Sequence, residues 1–274
     1  MIVYTDPYFN LKQIALSGQC FRMTETGSGV FEIIAKERWL RAKQCRDTVV
    51  FFCGRQEFES CWKQYFDLET DYGAIIRKID SSDAYLCRAA QRGKGIRILR
   101  QDLFEMIITF LISQQNNIPR IRRCIENICR RYGRLCRTPE GREYSGFPKP
   151  EALAGASEQE LLECNLGYRG KYVLDTAARI ADGRFSLEEL QKMDKAKAQE
   201  KLTELYGVGK KVAACAALFG LHHLEAFPVD THIRQAVEKH YPGGFPEKYK
   251  EFQGVLQQYI FYEELFPENT GDLG

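Results

Sequence analysis

Two lysines, Lys210 and Lys211, follow directly on the glycine-bracketed turn Gly207-Val208-Gly209. An aspartate, Asp230, precedes a later apolar-periodic run in the stretch AFPVDTHIRQAV. A lysine in the first turn of a helix stands at the positive end of the helix dipole. That placement disfavours its charged form, and a neighbouring lysine adds like-charge repulsion. A neutral amine is what nucleophilic attack requires. The spacing alone leaves open which lysine would attack, and a pair of phosphate-contacting cations is the competing reading. Lys211 and Cys215 are four residues apart and share a helix face. Asp230 reads first as a helix N-cap. One carboxylate oxygen can cap while the other faces a cavity, where it would stabilise a cation developing on a sugar.

The elements that would position these groups are two short helices. Ala198 to Tyr206 carries Leu202 and Leu205 on one face, and Gly207 ends it. Lys210 to Gly220 is the next helix, with Val212, Cys215, Ala216 and Phe219 as its apolar stripe. Gly207 and Gly209 permit positive φ and close approach of a phosphate to the backbone. The first N–H groups of the second helix lack intrahelical acceptors, so the turn can hold a phosphate. Such a grip reads no base sequence. An ordinary helix–helix corner with a glycine cap would look the same.

At 274 residues and 44% hydrophobic composition the chain is long and apolar enough for a folded protein of two or three packed units. Its net charge of +2 is small, but Arg120, Arg122, Arg123, Arg130, Arg131, Arg134 and Arg137 face only one acid in that run, Glu126. A basic face on a near-neutral protein points to a polyanion, unless it is simply a solvated helix surface. Gly244 to Gly274 is the acidic counterpart, with six acids against two lysines. The ten cysteines contain no C-x-x-C pair, which predicts reduced thiols, mostly in the core. Neither they nor the four histidines are spaced for zinc or an iron–sulfur cluster. The N-terminus MIVYTDPYFN has no leader pattern and no apolar run is of membrane-spanning length, so an intracellular protein is expected.

The chain reads as α+β. Cys20–Met23, Val30–Ala35, Trp39–Ala42 and Thr48–Cys53 are β-rich runs separated by turn material, including TETGSG at 24–29. They predict an antiparallel meander. From about Glu57 the period becomes helical, with stripes at Phe104, Ile107, Ile108, Leu111, Ile112 and at Ile121, Cys124, Ile125, Ile128. TPEGREYSGFPKP at 138–150 separates two helical groups, and Ser157/Glu160 and Ser186/Glu189 look like capping boxes. The expected division is a β-rich domain over 1–98 and a helical domain over 99–274.

A G-V-G hairpin, a lysine and a later P-V-D resemble the helix–hairpin–helix glycine/proline/aspartate (HhH-GPD) DNA glycosylases, and within them the 8-oxoguanine DNA glycosylase family. The likeness runs in order through SGQCFR (17–22), GIRILRQD (95–102), ISQQNNIPRI (112–121), LGYRGKYV (166–173), LYGVGKKVAAC (205–215), PVDTH (228–232) and LQQYIF (256–261). It implies a β-sheet domain fused to a two-lobed helical domain, acting on double-stranded DNA that contains an oxidised purine. It implies a glycosylase and abasic-site lyase working through a lysine Schiff base, without metal or cofactor, as a monomer. It assigns the nucleophile to Lys211 and the carboxylate role to Asp230. Gly18, Cys215, Gln257 and Phe261 would form the base pocket, with the Gly18 carbonyl accepting from N7–H of the lesion. Gln115, Asn116, Asn117, Arg120, Tyr168 and Arg169 would meet the partner strand. Gly207, Gly209, Lys210 and His232 would meet phosphates. Gln115 stands where animal members carry asparagine, and Pro119 follows Ile118, which leaves the preferred partner base open. The alternatives are a glycosylase of the same fold for another oxidised or mispaired base, and a non-catalytic helix–hairpin–helix DNA-binding module. Relatives with other substrates often carry a C-terminal four-cysteine cluster, absent from this sequence.

Overall fold

The computed structural model describes residues 1–266. Glu268 and Asp272 of the acidic C-terminal stretch lie outside the described residues. Five antiparallel strands form the N-terminal sheet in the order β1-β5-β4-β3-β2: β1 Ile2–Thr5, β2 Met23–Gly27, β3 Val30–Ala35, β4 Arg38–Cys45 and β5 Thr48–Phe51. The meander is therefore present, but its first strand starts at Met23, so Cys20–Phe21–Arg22 lead into it. Thr24, Glu25 and Thr26, expected as a turn, belong to this strand. They are exposed on an edge, and polar side chains are how an edge strand resists unwanted pairing. β1 was not legible: Ile2–Thr5 is short and gains its register only by pairing with β5, far along the chain. The helix Leu11–Leu16, capped by Asn10, packs its Leu11 and Ile14 into this sheet's core.

The remainder is helical around one continuous apolar core. Packing does not follow the expected division at residue 98. The helices Tyr72–Arg77 and Ala84–Arg92 place Tyr72, Ile75, Leu86 and Ala89 in the helical core, whereas the sheet's own core takes Phe58, Trp62 and Phe66. Apolar side chains join whichever neighbour excludes water from them, and sequence order does not fix that neighbour. The stretch 138–150 is more than a separator. It closes a hairpin, β6 Leu135–Arg137 with β7 Glu143–Ser145, that docks back on the N-terminal sheet. There the Phe147 N–H donates to the Lys36 carbonyl (2.9 Å) and the Tyr144 hydroxyl to the Glu37 carbonyl (2.8 Å). Both capping serines accept from the third helical N–H, and Ser157 completes the reciprocal box with Glu160.

The arginine run divides in two. Arg131 pairs with Glu160 and Glu163, Arg134 with Glu37, Arg137 with Glu143, and Arg130 with Glu126. Arg122 donates to the Ala15 carbonyl at 3.1 Å. The whole run is thus not a cationic face. Its exposed arginines toward the start of the helix Ile118–Tyr132 are Arg120 and Arg123. All ten cysteines are free thiols, but only Cys20, Cys124, Cys129, Cys164 and Cys215 are buried, half of the set rather than most of it. No helix among the described residues is long and apolar enough to cross a membrane.

Glu105 is a buried carboxyl where the sheet meets the helical core. Burial pushes its pKa up to about 7, against the opposing pull of Arg22. A raised folded value means that the native state holds the proton more tightly than the unfolded chain. This contribution to stability is present in full below about 4.5 and is lost as pH rises through about 7. Glu105→Gln should therefore remove a stability loss of about 3 kcal/mol that wild type suffers between pH 5 and 8. Denaturant titrations of both proteins at those pH values check this, and parallel pH profiles would exclude it.

Candidate active site

The hairpin is present with a shorter first helix than expected. That helix is Lys195–Leu202, and Thr203 to Leu205 continue as tight turns bonded to residues three back. Gly207 has φ +82, and a Cβ there would stand 2.4 Å from the Tyr172 ring. Gly209, the N-cap of the helix Lys210–Phe219, has φ −92, and a Cβ there would meet nothing within 4 Å. The fold itself demands glycine at 207 only. At 209 the bare backbone leaves open space outside the helix N-terminus, where an anion can approach the N–H groups. Gly207→Ala should accordingly cost on the order of 1–3 kcal/mol of stability. Gly209→Ala should leave the melting temperature unchanged yet weaken binding to duplex DNA roughly tenfold, the cost of one disturbed phosphate contact. Equal binding by Gly209→Ala and wild type would remove the hairpin from the DNA interface.

The two lysines diverge because one residue along a helix turns the side chain by about 100°. Lys210 is exposed at the hairpin. Lys211 is half-buried, with its Nζ 3.4 Å from Ser113 Oγ and 5.1 Å from the centroid of the Phe110 ring. It lines a cavity of about 40 Å³ together with Ser17, Gly18, Cys215, Asp230, Gln257 and Phe261. Burial raises the Cys215 thiol to about 11, although Lys211 pulls it the other way. Cys215 is thus a neutral apolar wall of the cavity beside Lys211. Asp230 caps the helix Thr231–His240 through Oδ1, which accepts from Ile233 N–H at 2.9 Å, while its side chain also lines the cavity.

Gly18 and Phe261 meet face to face. Gly18 has φ +73, and a Cβ on it would lie 2.9 Å from Phe261 Cε1. The cavity is large enough for water and too small for a purine. Gln257 is almost fully buried; its amide donates to the Pro228 carbonyl (3.1 Å), and its carbonyl oxygen accepts from Gln258 (3.1 Å). The loop carrying Gly18 is pinned by Gln19, whose side chain donates to Ser17 Oγ and the Arg97 carbonyl and accepts from Leu99 N–H. Gln19, Gln258, Ser113 and Phe110 were missed as site residues. SGQCFR and ISQQNN contain two of them, but nothing local marks a glutamine or serine as a support.

On the partner-strand side, Gln115 is exposed in the left-handed region (φ +46), and Tyr168 is 47% exposed beside it. The Tyr168 hydroxyl donates to Gln115 Oε1 at 3.5 Å. Asn117 caps the helix Ile118–Tyr132, and Asn116 donates to the Ile112 carbonyl and accepts from Asn117 N–H, so both amides brace the backbone. Arg120 is exposed. Arg169 is 3% exposed and donates to the carbonyls of Gln114 (2.7 Å) and Gln115 (2.8 Å). In this conformation it holds the loop and does not reach out to a base. His232 is exposed and packs edge-on to Phe261. No cluster of His, Cys, Asp and Glu fit to hold a metal occurs among the described residues.

A glycine-turned hairpin that places a half-buried lysine in one cavity with a capping aspartate and an aromatic ring defines a base-excision protein of the helix–hairpin–helix class. Residues 108–259 match the model of the HhH-GPD superfamily of base excision DNA repair proteins. Residues 1–107 match that of the 8-oxoguanine DNA glycosylase N-terminal domain. The chain belongs to the 8-oxoguanine DNA glycosylase family of this superfamily. It is similar to N-glycosylase/DNA lyase OGG1 of Arabidopsis thaliana, 29% identical with 93% of this chain and 77% of that protein covered. A probable N-glycosylase/DNA lyase of Methanothermobacter thermautotrophicus is 30% identical, over 76% of this chain and 73% of its own. The 8-oxoguanine glycosylase/lyase of Clostridium acetobutylicum, solved with duplex DNA containing cytosine opposite 8-oxoguanine, superposes with a TM-score of 0.87. It is 34% identical, with 96% of this chain and 97% of that one covered.

Proposed function

We propose that this chain excises 8-oxoguanine from duplex DNA as a bifunctional DNA glycosylase and abasic-site lyase. The observation that carries the reading is Lys211, directed into the cavity that Gly18, Asp230, Gln257 and Phe261 also line. Hairpin N–H groups and exposed Lys210 grip the backbone, Gln115 and Tyr168 fill the gap left by the extruded base, and the base enters beside Phe261. The Lys211 amine attacks C1′ as the bond to N9 breaks. The bonding pair leaves with the base, which takes up a proton. Asp230 stabilises the positive charge that grows on the sugar meanwhile. The aminal opens as the C1′–O4′ bond breaks, its pair going to O4′, which takes up a proton, and an iminium forms between Lys211 and C1′. Loss of a C2′ proton then expels the 3′ phosphate and cuts the strand.

Duplexes carrying defined lesions, scored separately for base release, nicking and covalent capture by borohydride, test this reading. Release of 8-oxoguanine with capture is the expected result. Release of an oxidised pyrimidine or mispaired adenine instead would overturn the substrate. Binding without capture would reduce the protein to a DNA-binding module.

A further inference from the structure

Three consecutive side chains at the end of the helix Leu103–Ser113 reach three different parts of the machinery. Ser113 Oγ stands 3.4 Å from the Lys211 amine, and Gln115 lies against Tyr168. Gln114 lies between them. Its side-chain amide donates to the carbonyl of Gly207, in the hairpin turn, at 3.1 Å. Its own carbonyl accepts from Nε of buried Arg169 at 2.7 Å, and the same guanidinium holds the Gln115 carbonyl at 2.8 Å. Arg169 in turn lies over the Tyr168 ring, 4.6 Å from its centroid. A second route runs beside this one. The Tyr172 ring, against which Gly207 is packed, meets Tyr168 edge-on at 5.8 Å.

We infer that Gln114 is a positioning residue that locks the phosphate-gripping hairpin to the wedge formed by Gln115 and Tyr168. The inference rests on the proposed function. Its physical content is that extrusion needs a reaction force. The wedge can push a base out of the stack only if it is braced against the element that holds the backbone. The Gln115 backbone lies in the left-handed region (φ +46), which a non-glycine residue holds only where its surroundings fix it. The Arg169 and Gln114 hydrogen bonds supply that fixing. A packed side-chain and hydrogen-bond chain of this kind moves as one body when every polar member is satisfied.

Gln114→Met keeps the length of the side chain and removes its donor. Single-turnover excision by the full-length variant is compared with wild type on two substrates: 8-oxoguanine opposite cytosine, and 8-oxoguanine opposite a one-nucleotide gap, where no partner base resists extrusion. Excision from the paired duplex should fall roughly 10- to 100-fold, the scale on which misplacement from a distance acts, and stay within about 3-fold of wild type on the gapped one. Melting temperature distinguishes a folding defect, and Gln114→Glu, which sets an acceptor against the Gly207 carbonyl, should repeat the pattern. Equal loss on both substrates, or no loss on either, overturns the inference. A 2-aminopurine at the target position reports extrusion whether or not excision follows. Wild-type protein that extrudes this base without excising 8-oxoguanine would sink the substrate reading, and the fluorescence of Gln114→Met would still decide the present one.

Discussion

Lys211→Gln is expected to lower base release by about ten-thousand-fold or more, as removal of a covalent nucleophile does, and to abolish capture by borohydride. Glutamine keeps a polar group near Ser113 and Phe110 but has no basic lone pair. Binding to lesion-containing duplex should survive, because exposed Lys210 and the hairpin backbone remain. Lys210→Gln supplies the contrast. Its side chain lies outside the cavity lined by Lys211, so capture should persist while the salt dependence of binding drops by about one phosphate contact. Capture by Lys211→Gln together with its loss in Lys210→Gln would reverse the assignment.

Discrimination against guanine should rest on the Gly18 carbonyl. Stacking on Phe261 and contact with Gln257 serve either purine, since both offer the same ring face and the same pyrimidine edge. At N7 they differ: 8-oxoguanine presents a donor and guanine an acceptor. A lost hydrogen bond and two opposed lone pairs are worth roughly 1–3 kcal/mol, or about 10- to 100-fold in rate. The protein cannot easily be mutated to test this. A Cβ at Gly18 would both strain a backbone at φ +73 and strike the Phe261 ring at 2.9 Å. The substrate can be altered instead. Methylation of N7 on the lesion should block binding, and a carbon that keeps its hydrogen at that position should preserve it. Phe261→Ala should excise more slowly while still preferring the oxidised base. An N7-methylated lesion that binds like 8-oxoguanine would exclude the Gly18 carbonyl as the discriminating group.

Features encoded by contiguous residues were legible in the sequence. The β-then-α order, the glycine turn at 207–209, the N-cap at Asp230 and the reciprocal box at Ser157 and Glu160 each follow from a few neighbouring side chains and their backbone preferences. The seven motifs from SGQCFR to LQQYIF, taken in order, also sufficed to place the chain in its family. Other features depended on partners distant in sequence. The arginine run looked like one cationic face until Glu37, Glu160 and Glu163 folded onto its second half. Residues 72–98 fell within the expected β-rich domain until the helical core claimed their apolar side chains. The different surroundings of Lys210 and Lys211 were set by which face of their helix packs against Phe110 and Ser113. Gln114 lies within ISQQNNIPRI, but nothing local distinguishes it there from its neighbours. The physical reason is common to these cases. Turns and caps are decided by interactions within a few residues, whereas the neutralisation of a charge, the burial of a face and the partners of a side-chain amide are decided by what the rest of the chain brings alongside.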